Sequence, residues 1–170
     1  MQIISHSKLK KMADVFSQID LHIVFAVKYR QALINASWKE KLYQYITGII
    51  QNHKHKLLSI GGVEDHIHIF IGYNPSHLLP DLVREIKVSS NEFIKLNRLC
   101  PSKFAWQNGY GVFSHNRKQR NIVINYIQNQ EEHHRQETFK REYVKLLKRA
   151  EIAYKEEYLF DFFDKNKDSY

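Results

Sequence analysis

The sequence is poor in cysteine, proline and glycine. Its single cysteine, Cys100, excludes an internal disulfide, and no ligand cluster near it has the spacing of a zinc site. With three prolines and six glycines, no Gly-, Pro- or Ser-rich linker divides the chain, and it contains no repeat. We therefore predict a single domain over residues 1–170, with a core at about 17–134 and a C-terminal helix and tail at about 135–170.

Long hydrophobic runs are absent as well. No apolar stretch approaches the roughly 18 to 20 residues that span a bilayer, and the start of the chain lacks the apolar segment and cleavage site of a signal peptide. We expect a cytoplasmic protein with no membrane partner. The chain also has no GxxxxGK[ST] loop, so the sequence gives no sign of an ATP site.

Positive charge, by contrast, is abundant. The chain has 26 Lys and Arg against 18 Asp and Glu, a net charge of +8, and residues 1–150 hold 23 basic and 12 acidic residues. A basic body rich in aromatic residues suits nucleic acid, because Lys and Arg release phosphate counterions and aromatic rings stack on unpaired bases. Ordinary solvated charges would give the same composition.

Hydrophobic periodicity predicts the order strand, helix, strand, strand, helix, strand. This is the βαββαβ order of a ferredoxin-like or RRM-like α+β domain, here with additional C-terminal helices. Its antiparallel sheet would carry helices on one face, with the first and third strands in the centre. A capping box of Ser37 and Glu40 is expected to start the first helix, and Gly61 to Glu64 should form the turn between the second and third strands.

Two histidines occupy the predicted third strand, DHIHIFIG. Because side chains alternate along a strand, His66 and His68 share one face, and we expect that face to be open. Two imidazoles at this spacing suit one divalent cation. Two ordinary strand histidines would produce the same pattern.

A tyrosine and a glutamine follow in NYIQNQEEHH. Tyr126 and Gln130 are four residues apart, which places both on one face of a helix. The amide oxygen of Gln130 offers a third metal ligand, and Tyr126 would lie beside that metal. With the histidine pair these residues suit a reaction in which a phenolate attacks a phosphate that the cation polarises. Alternatively, Tyr126 belongs to the apolar stripe of the helix and Gln130 marks its polar border.

The ordered set DHIHIFIG, WQNGYGVFS and NYIQNQEEHH resembles the IS200/IS605-type single-tyrosine transposases of the HUH endonuclease superfamily. LHIVFAVKYR near the start, and FKREYVKLL and YKEEYLF near the end, extend the resemblance over roughly residues 17–160. It implies that His66, His68 and Gln130 hold Mg²⁺ or Mn²⁺ and that Tyr126 is the nucleophile. Imidazole ligands favour a softer ion than Mg²⁺.

The resemblance also implies a substrate and an assembly. Tyr126 would cleave and rejoin single-stranded DNA with hairpin ends through a 5′-phosphotyrosine link. A homodimer is expected, in which the helix carrying Tyr126 completes the partner's histidine pair, although related monomeric proteins are similar. Basic residues at the ends of elements are the expected DNA contacts: Lys28, Arg30, Lys54, Lys56, Arg117, Lys118 and Arg120.

Two other functions remain open at this point. A non-catalytic protein of RRM-like fold could bind single-stranded nucleic acid on its open sheet face. A metal phosphodiesterase could use water instead of Tyr126, and it would leave no protein-linked strand.

Overall fold

The fold is a four-stranded antiparallel sheet with helices on both faces, seen in a computed structural model that describes residues 16–28 and 33–162. The strands are ordered β2-β3-β1-β4, so the first and third strands are central as predicted. They are β1 Asp20–Ala26, β2 Lys56–Gly62, β3 His66–Gly72 and β4 Gly111–His115. The predicted ferredoxin-like α+β class is confirmed.

The described residues form five helices, which lie on the two faces of this sheet. Their bounds are α1 Lys39–Asn52, α2 Leu79–Leu96, α3 Arg120–Gln128, α4 Gln130–His133 and α5 Phe139–Arg149, with 3-10 turns at Arg117–Gln119 and Glu156–Tyr158. Within the described ranges, every helix is too short or too polar to cross a membrane.

The main hydrophobic core lies between one sheet face and the helices α1 and α2. Alternate strand residues such as Ile23, Phe25, Ile67 and Ile69 point into it and are fully buried. The apolar stripes of α1 and α2 cover them from the other side. This layer makes the central strands a rigid platform for the side chains on the opposite face.

The opposite face is not open, and this corrects the expectation that helices cover one face only. The C-terminal helices cover it: Val123 and Ile127 of α3 pack on Phe70, while α5 packs on β1 and β4 through Phe139, Tyr143 and Leu147. Burial of each large apolar side chain contributes roughly 1.5–3 kcal/mol, which holds α5 on the sheet. Both histidines of the pair are therefore fully buried.

Two glycines lie in β2, whereas the sequence suggested a turn. A Cβ atom on Gly61 would lie 2.6 Å from the carbonyl oxygen of Ile127, and one on Gly62 would lie 2.3 Å from that of His66. Side chains at these positions would push α3 and β3 away. The glycines are thus required by the close approach of neighbouring backbone, and the turn falls at residues 63–65.

The start of the first helix also differs from the prediction. Helix α1 begins at Lys39, after Trp38, and no side chain caps it. Instead of forming a capping box with Glu40, Ser37 donates its backbone N–H to the side chain of Asn35, 2.9 Å away. The Asn35 carbonyl oxygen accepts the N–H groups of Trp38 and Lys39, so the backbone itself makes the helical turn.

Candidate metal and tyrosine site

The histidine pair lies at the beginning of β3, with its free ring atoms converging on one carboxylate. His66 Nε2 is 3.3 Å from Glu142 Oε2, and His68 Nε2 is 3.4 Å from Glu142 Oε1. The other ring nitrogens are held by neighbours: His66 Nδ1 is 2.7 Å from Asp65 Oδ1, and His68 Nδ1 is 2.8 Å from His22 Nε2. Metal-binding histidines are usually oriented in this way through the nitrogen that does not bind the metal.

Glu142 brings the elements of this site together. It lies on the buried side of α5, whose start is fixed by Thr138, since the Thr138 hydroxyl accepts the Arg141 N–H. Its side chain is 2% exposed. One of its carboxylate oxygens and one ring nitrogen each of His66 and His68 all lie within 4.8 Å of one another. Two imidazoles and a carboxylate at this spacing can hold a single divalent cation.

Tyr126 and Gln130 reach the same carboxylate. The Tyr126 hydroxyl donates a hydrogen bond to Glu142 Oε1, and Gln130 Nε2 donates to that oxygen over 2.9 Å. The prediction placed both residues on one helix. The helix is instead interrupted at Asn129, so Tyr126 lies on α3 and Gln130 begins α4. Both still point at Glu142, so the structure brings together all four residues predicted for the metal and the nucleophile.

The charges in the site depend on one another. Burial opposes a charge on Glu142, but His68, His134 and His66 outweigh burial and hold the pKa of Glu142 well below its usual range. Burial likewise opposes a charge on His66, but Asp65 and Glu142 raise the pKa of His66 to about 9. Both shifts favour an ion pair between the His66 imidazolium and the Glu142 carboxylate.

Burial shifts the pKa values of Tyr126 and His68 in the directions that favour their uncharged forms. Burial, and then the charge of Glu142, raise the pKa of Tyr126 above its normal value, so the phenol keeps its proton. Burial lowers the pKa of His68 below the ordinary value even though Glu142 opposes this effect. This shift favours the neutral imidazole, the form in which histidine binds metals.

The residues present fit a divalent cation. His66 Nε2, His68 Nε2 and Gln130 Oε1 are buried and make no hydrogen bond within the described part of the chain, although buried polar atoms normally have a partner. Together with the Glu142 carboxylate they form a mixed nitrogen and oxygen donor set. Such a set suits Mn²⁺ through its imidazoles and either Mn²⁺ or Mg²⁺ through its oxygens.

Neither Glu142 nor His134 is among the residues that the sequence predicts for the site. His134 Nε2 lies 2.9 Å from Glu142 Oε2, and its ring is 4.7 Å from that of His66. A signal for Glu142 does exist, because it falls among Phe139, Tyr143 and Leu147 on the apolar stripe of its helix. A carboxylate in a buried stripe needs a charged or metal partner.

Two other tyrosines make their contacts outside this site. Tyr73 donates its hydroxyl to the carbonyl oxygen of His77, and Tyr110 packs at the edge of the main core. The closed second face also leaves no surface where bases could stack on the histidine strand. This observation disfavours the non-catalytic RRM-like function.

The predicted DNA contacts are spread around the sheet. Lys56 pairs with Gly72, the last residue of β3, whereas His66 is the first residue of that strand. Strand β4 ends at the same edge as Gly72, and the turn with Arg117 and Lys118 follows it. A seven-residue strand is roughly 20 Å long, so the basic residues at this end, Lys54, Lys56, Arg117 and Lys118, lie away from the histidine pair rather than beside it. Lys28 lies near it, and Arg30 falls outside the described residues.

Arg120 has a partner within the chain. Its Nε and Nη2 atoms donate to the Asp20 carboxylate over 3.0 and 2.9 Å, and Asp20 is buried at the start of β1. This two-point contact fastens the first residue of α3 to the sheet. It therefore helps to fix the helix that carries Tyr126.

Comparisons with known proteins agree with this architecture. The family description "Transposase IS200 like" matches residues 15–130. The ISDra2 transposase TnpA of Deinococcus radiodurans is 21% identical over 128 residues, which cover 72% of this chain and 91% of the relative. Since the family match spans more than half of the chain, the similarity is not confined to one motif.

Two solved structures share the fold. A transposase crystal structure from Deinococcus radiodurans R1 has a TM-score of 0.55 and 24% identity, over 72% of this chain and 98% of the other. A REP-associated tyrosine transposase bound to a REP hairpin has a TM-score of 0.55 and 13% identity, over 74% of each chain. Fold and comparisons together define a DNA transposase.

The chain belongs to the IS200-like transposase family. Its family activity is DNA transposition, which requires cleavage and transfer of DNA strands.

Proposed function

We propose that this protein cleaves and rejoins single-stranded DNA at the ends of a mobile element through a tyrosine-linked intermediate. The observation that carries the proposal is the convergence of Tyr126 and the histidine pair on one buried carboxylate, Glu142. A phenol beside a site with a metal-ligand donor set has the parts needed for phosphoryl transfer. The resemblance to single-tyrosine transposases and the family membership support the same chemistry.

In the first step, the Tyr126 oxygen forms a bond to the phosphorus of the scissile phosphodiester. The bond from phosphorus to the 3′ oxygen breaks, and that oxygen takes up a proton to become a 3′-OH. The phenolic proton goes to Glu142 Oε1, which already accepts the hydrogen bond of the Tyr126 hydroxyl. In the second step a 3′-OH from another DNA end attacks the 5′-phosphotyrosine and releases Tyr126, so one bond replaces another without ATP.

His66, His68, Gln130 and Glu142 are the residues that would hold the cation, Mg²⁺ or Mn²⁺. When bound, the cation supplies positive charge to the scissile phosphate and favours the phenolate. Asp65 and His22 orient the two imidazoles through their Nδ1 atoms. The Gln130 amide would turn so that its oxygen, now without a hydrogen bond, replaces its NH₂ group at the site.

Electrostatics indicate why the reactivity of Tyr126 would depend on the positive charge of the cation. Burial and Glu142 together hold Tyr126 protonated, and a protonated phenol is a weak nucleophile. Metal binding also requires His66 to give up its proton. A bound cation would therefore take the place of the His66 proton, and His66 Nε2 and the Glu142 carboxylate would be two of the groups that hold it.

A hairpin end is the proposed substrate feature. The REP-associated relative was solved with a hairpin bound, and we extend this substrate class to the present chain. Lys54, Lys56, Arg117 and Lys118 are exposed at the sheet end away from His66, where their charges suit a DNA backbone. A duplex held there would leave its single-stranded flank to reach Tyr126.

All the residues proposed for the site lie within one chain. Tyr126 contacts Glu142, which contacts the histidine pair of the same sheet, so we propose catalysis in cis and a single domain that includes α5. A homodimer remains the proposed assembly by resemblance, but its partner is not needed to supply Tyr126. A dimer that exchanges α3 would instead use the tyrosine in trans.

The test is a covalent-adduct assay on labelled single strands that carry the element's own ends. The wild type should yield a slow-migrating protein–DNA band that requires Mg²⁺ or Mn²⁺ and disappears with EDTA. Tyr126→Phe should abolish the band, whereas Tyr110→Phe should retain it. Cleavage with no adduct would identify a water-using phosphodiesterase, and an undiminished adduct in Tyr126→Phe would contradict the assignment.

A further inference from the structure

A cavity of about 710 Å³ lies next to the proposed catalytic site, between α1 and the junction of α3 and α4. Its floor includes Gly61 and Gly62 of β2, and Gly61 is the register partner of His68. Gln130 lines the cavity and also contacts Glu142, so one residue borders both spaces. A volume of this size falls within the range of natural small-ligand pockets.

A buried tyrosine whose hydroxyl has no partner among the described residues lines the cavity. Tyr43 is 8% exposed, and its phenolic oxygen is buried without a hydrogen bond, although Tyr43 itself lines the cavity. Buried tyrosine hydroxyls usually find a partner. Burial, and then Glu40 and Glu131, raise the pKa of Tyr43 and keep the phenol protonated. The protonated hydroxyl is thus a hydrogen-bond donor that lacks an acceptor among the described residues.

The charges around the cavity argue against an anionic ligand. Lys39 is paired with Glu131, and Arg135 Nη1 lies 2.8 Å from Glu132 Oε2. Glu40 adds a further carboxylate to the wall, so the lining has no surplus of positive charge. A phosphate would gain little here, whereas a neutral ligand with hydrogen-bonding edges would not be repelled.

We propose that this cavity receives one nucleobase of the DNA strand beside the scissile phosphate, with the Tyr43 hydroxyl hydrogen-bonded to its edge. The inference rests on the proposed function, because the DNA strand that reaches Tyr126 is what brings a base to the cavity next to Gln130. A base is neutral, flat and rich in donors and acceptors, as the lining requires. β2 is an edge strand, and edge strands carry backbone groups that no other strand pairs.

The cavity would thus give the protein a means of reading one position near the cleavage point. Removal of a single neutral hydrogen bond should weaken binding of the preferred base by roughly 5- to 10-fold. The same removal should leave a strand without that base unaffected. The effect on folding should be neutral or slightly favourable, since Tyr43→Phe deletes a hydroxyl that has no partner in the free protein.

The experiment measures binding of fluorescent oligonucleotides to the Tyr126→Phe protein, which cannot cleave, with and without Tyr43→Phe. The oligonucleotides span the cleavage position found with the wild type and carry an abasic site at each flanking position in turn. Tyr45→Phe is the matched control, because its ring stacks on Phe93 of α2 at 4.2 Å and does not line the cavity.

We expect Tyr43→Phe, but not Tyr45→Phe, to weaken binding of the intact strand, and we expect one abasic position to erase that difference. Equal affinities for all strands would overturn the inference, as would a loss that persists at every abasic position. Crosslinking of 4-thiothymidine at the same position in the Tyr126→Phe protein gives a second readout, expected on residues 43–47. Crosslinks only elsewhere would contradict the proposal, while adduct formation by the wild type reports separately on the proposed function.

Discussion

Tyr126 donates its hydroxyl hydrogen bond to Glu142, sixteen residues further along the chain and on a different helix. This contact joins the helix that carries the phenol to the helix that closes the second face of the sheet. Glu142 in turn lies within 3.4 Å of both imidazoles of the histidine pair. The C-terminal helix is therefore part of the site as well as a cover for the core.

Glu142 should contribute directly to cation affinity. Glu142→Gln keeps the size of the side chain but removes the negative charge between the two imidazoles. We expect the Kd for Mn²⁺, measured by isothermal titration calorimetry, to rise by roughly 10- to 100-fold. Glu137→Gln is the control, because Glu137 is nearby and largely buried but pairs with Lys145 at 2.5 Å. Equal losses in the two variants would show that Glu142 is no ligand.

Two glycine substitutions should have opposite effects on stability. Gly48→Ala in the interior of α1 meets no atom within 4 Å and should raise the free energy of unfolding by about 0.5–1 kcal/mol. Gly61→Ala would place a Cβ atom 2.6 Å from the Ile127 carbonyl oxygen and should lower this free energy by about 1–3 kcal/mol.

Urea unfolding measures both changes. Gly61→Ala should also reduce adduct formation, because it displaces the helix that carries Tyr126, whereas Gly48→Ala should not. A Gly61→Ala protein as stable and active as the wild type would rule out the close packing of α3 on β2.

His55 should make the protein less stable in mild acid. Burial, then His77 and His53, lower the pKa of His55 to about 4, below the value of about 6.5 expected when the chain is unfolded. Between these values the unfolded chain binds the proton more tightly, so the free energy of unfolding falls as the pH decreases from 6.5 towards 4. The contribution is about 1 kcal/mol between pH 7 and pH 5.

His55 Nδ1 accepts the Asn74 N–H over 2.9 Å. The variant His55→Asn keeps a side-chain acceptor for this N–H but removes the imidazole that titrates. The difference between urea midpoints at pH 7 and pH 5 should therefore shrink in this variant. An unchanged difference would mean that His55 titrates alike in the folded and unfolded chain.

The strand order and most of the site were accessible from the sequence because they depend on local patterns. Alternation of isoleucine and histidine in β3 fixes which face His66 and His68 share, and helical spacing brings Tyr126 and Gln130 to similar directions. These patterns are set by backbone geometry alone. The shared face of the histidines and the common direction of Tyr126 and Gln130 are therefore both kept, even though the helix is interrupted at Asn129.

The closed second face and Glu142 were not predicted, since both depend on contacts between distant segments. The apolar stripe of α5 indicates a helix that packs, but not the surface on which it packs. The glycines of β2 were assigned to a turn because their close contact with Ile127 is a tertiary feature. A carboxylate within an apolar stripe is the local clue that was available for Glu142.

Mixing two inactive variants distinguishes a site completed within one chain from a shared site. His66→Ala lacks a metal ligand and Tyr126→Phe lacks the nucleophile. If Tyr126 acts in cis, as its contact with Glu142 indicates, an equimolar mixture should form no adduct. Recovery of adduct to a substantial fraction of wild type would require catalysis in trans and exchange of α3 between subunits.

The central claim is that Tyr126 becomes linked to the 5′-phosphate of a cleaved strand. Its most direct test is mass spectrometry of the adduct after digestion of protein and DNA. The account predicts a single modified peptide that contains Tyr126 and carries a nucleotide through its 5′-phosphate, with a free 3′-OH on the released strand. A nucleotide on another tyrosine, or cleavage with no modified peptide, would contradict it.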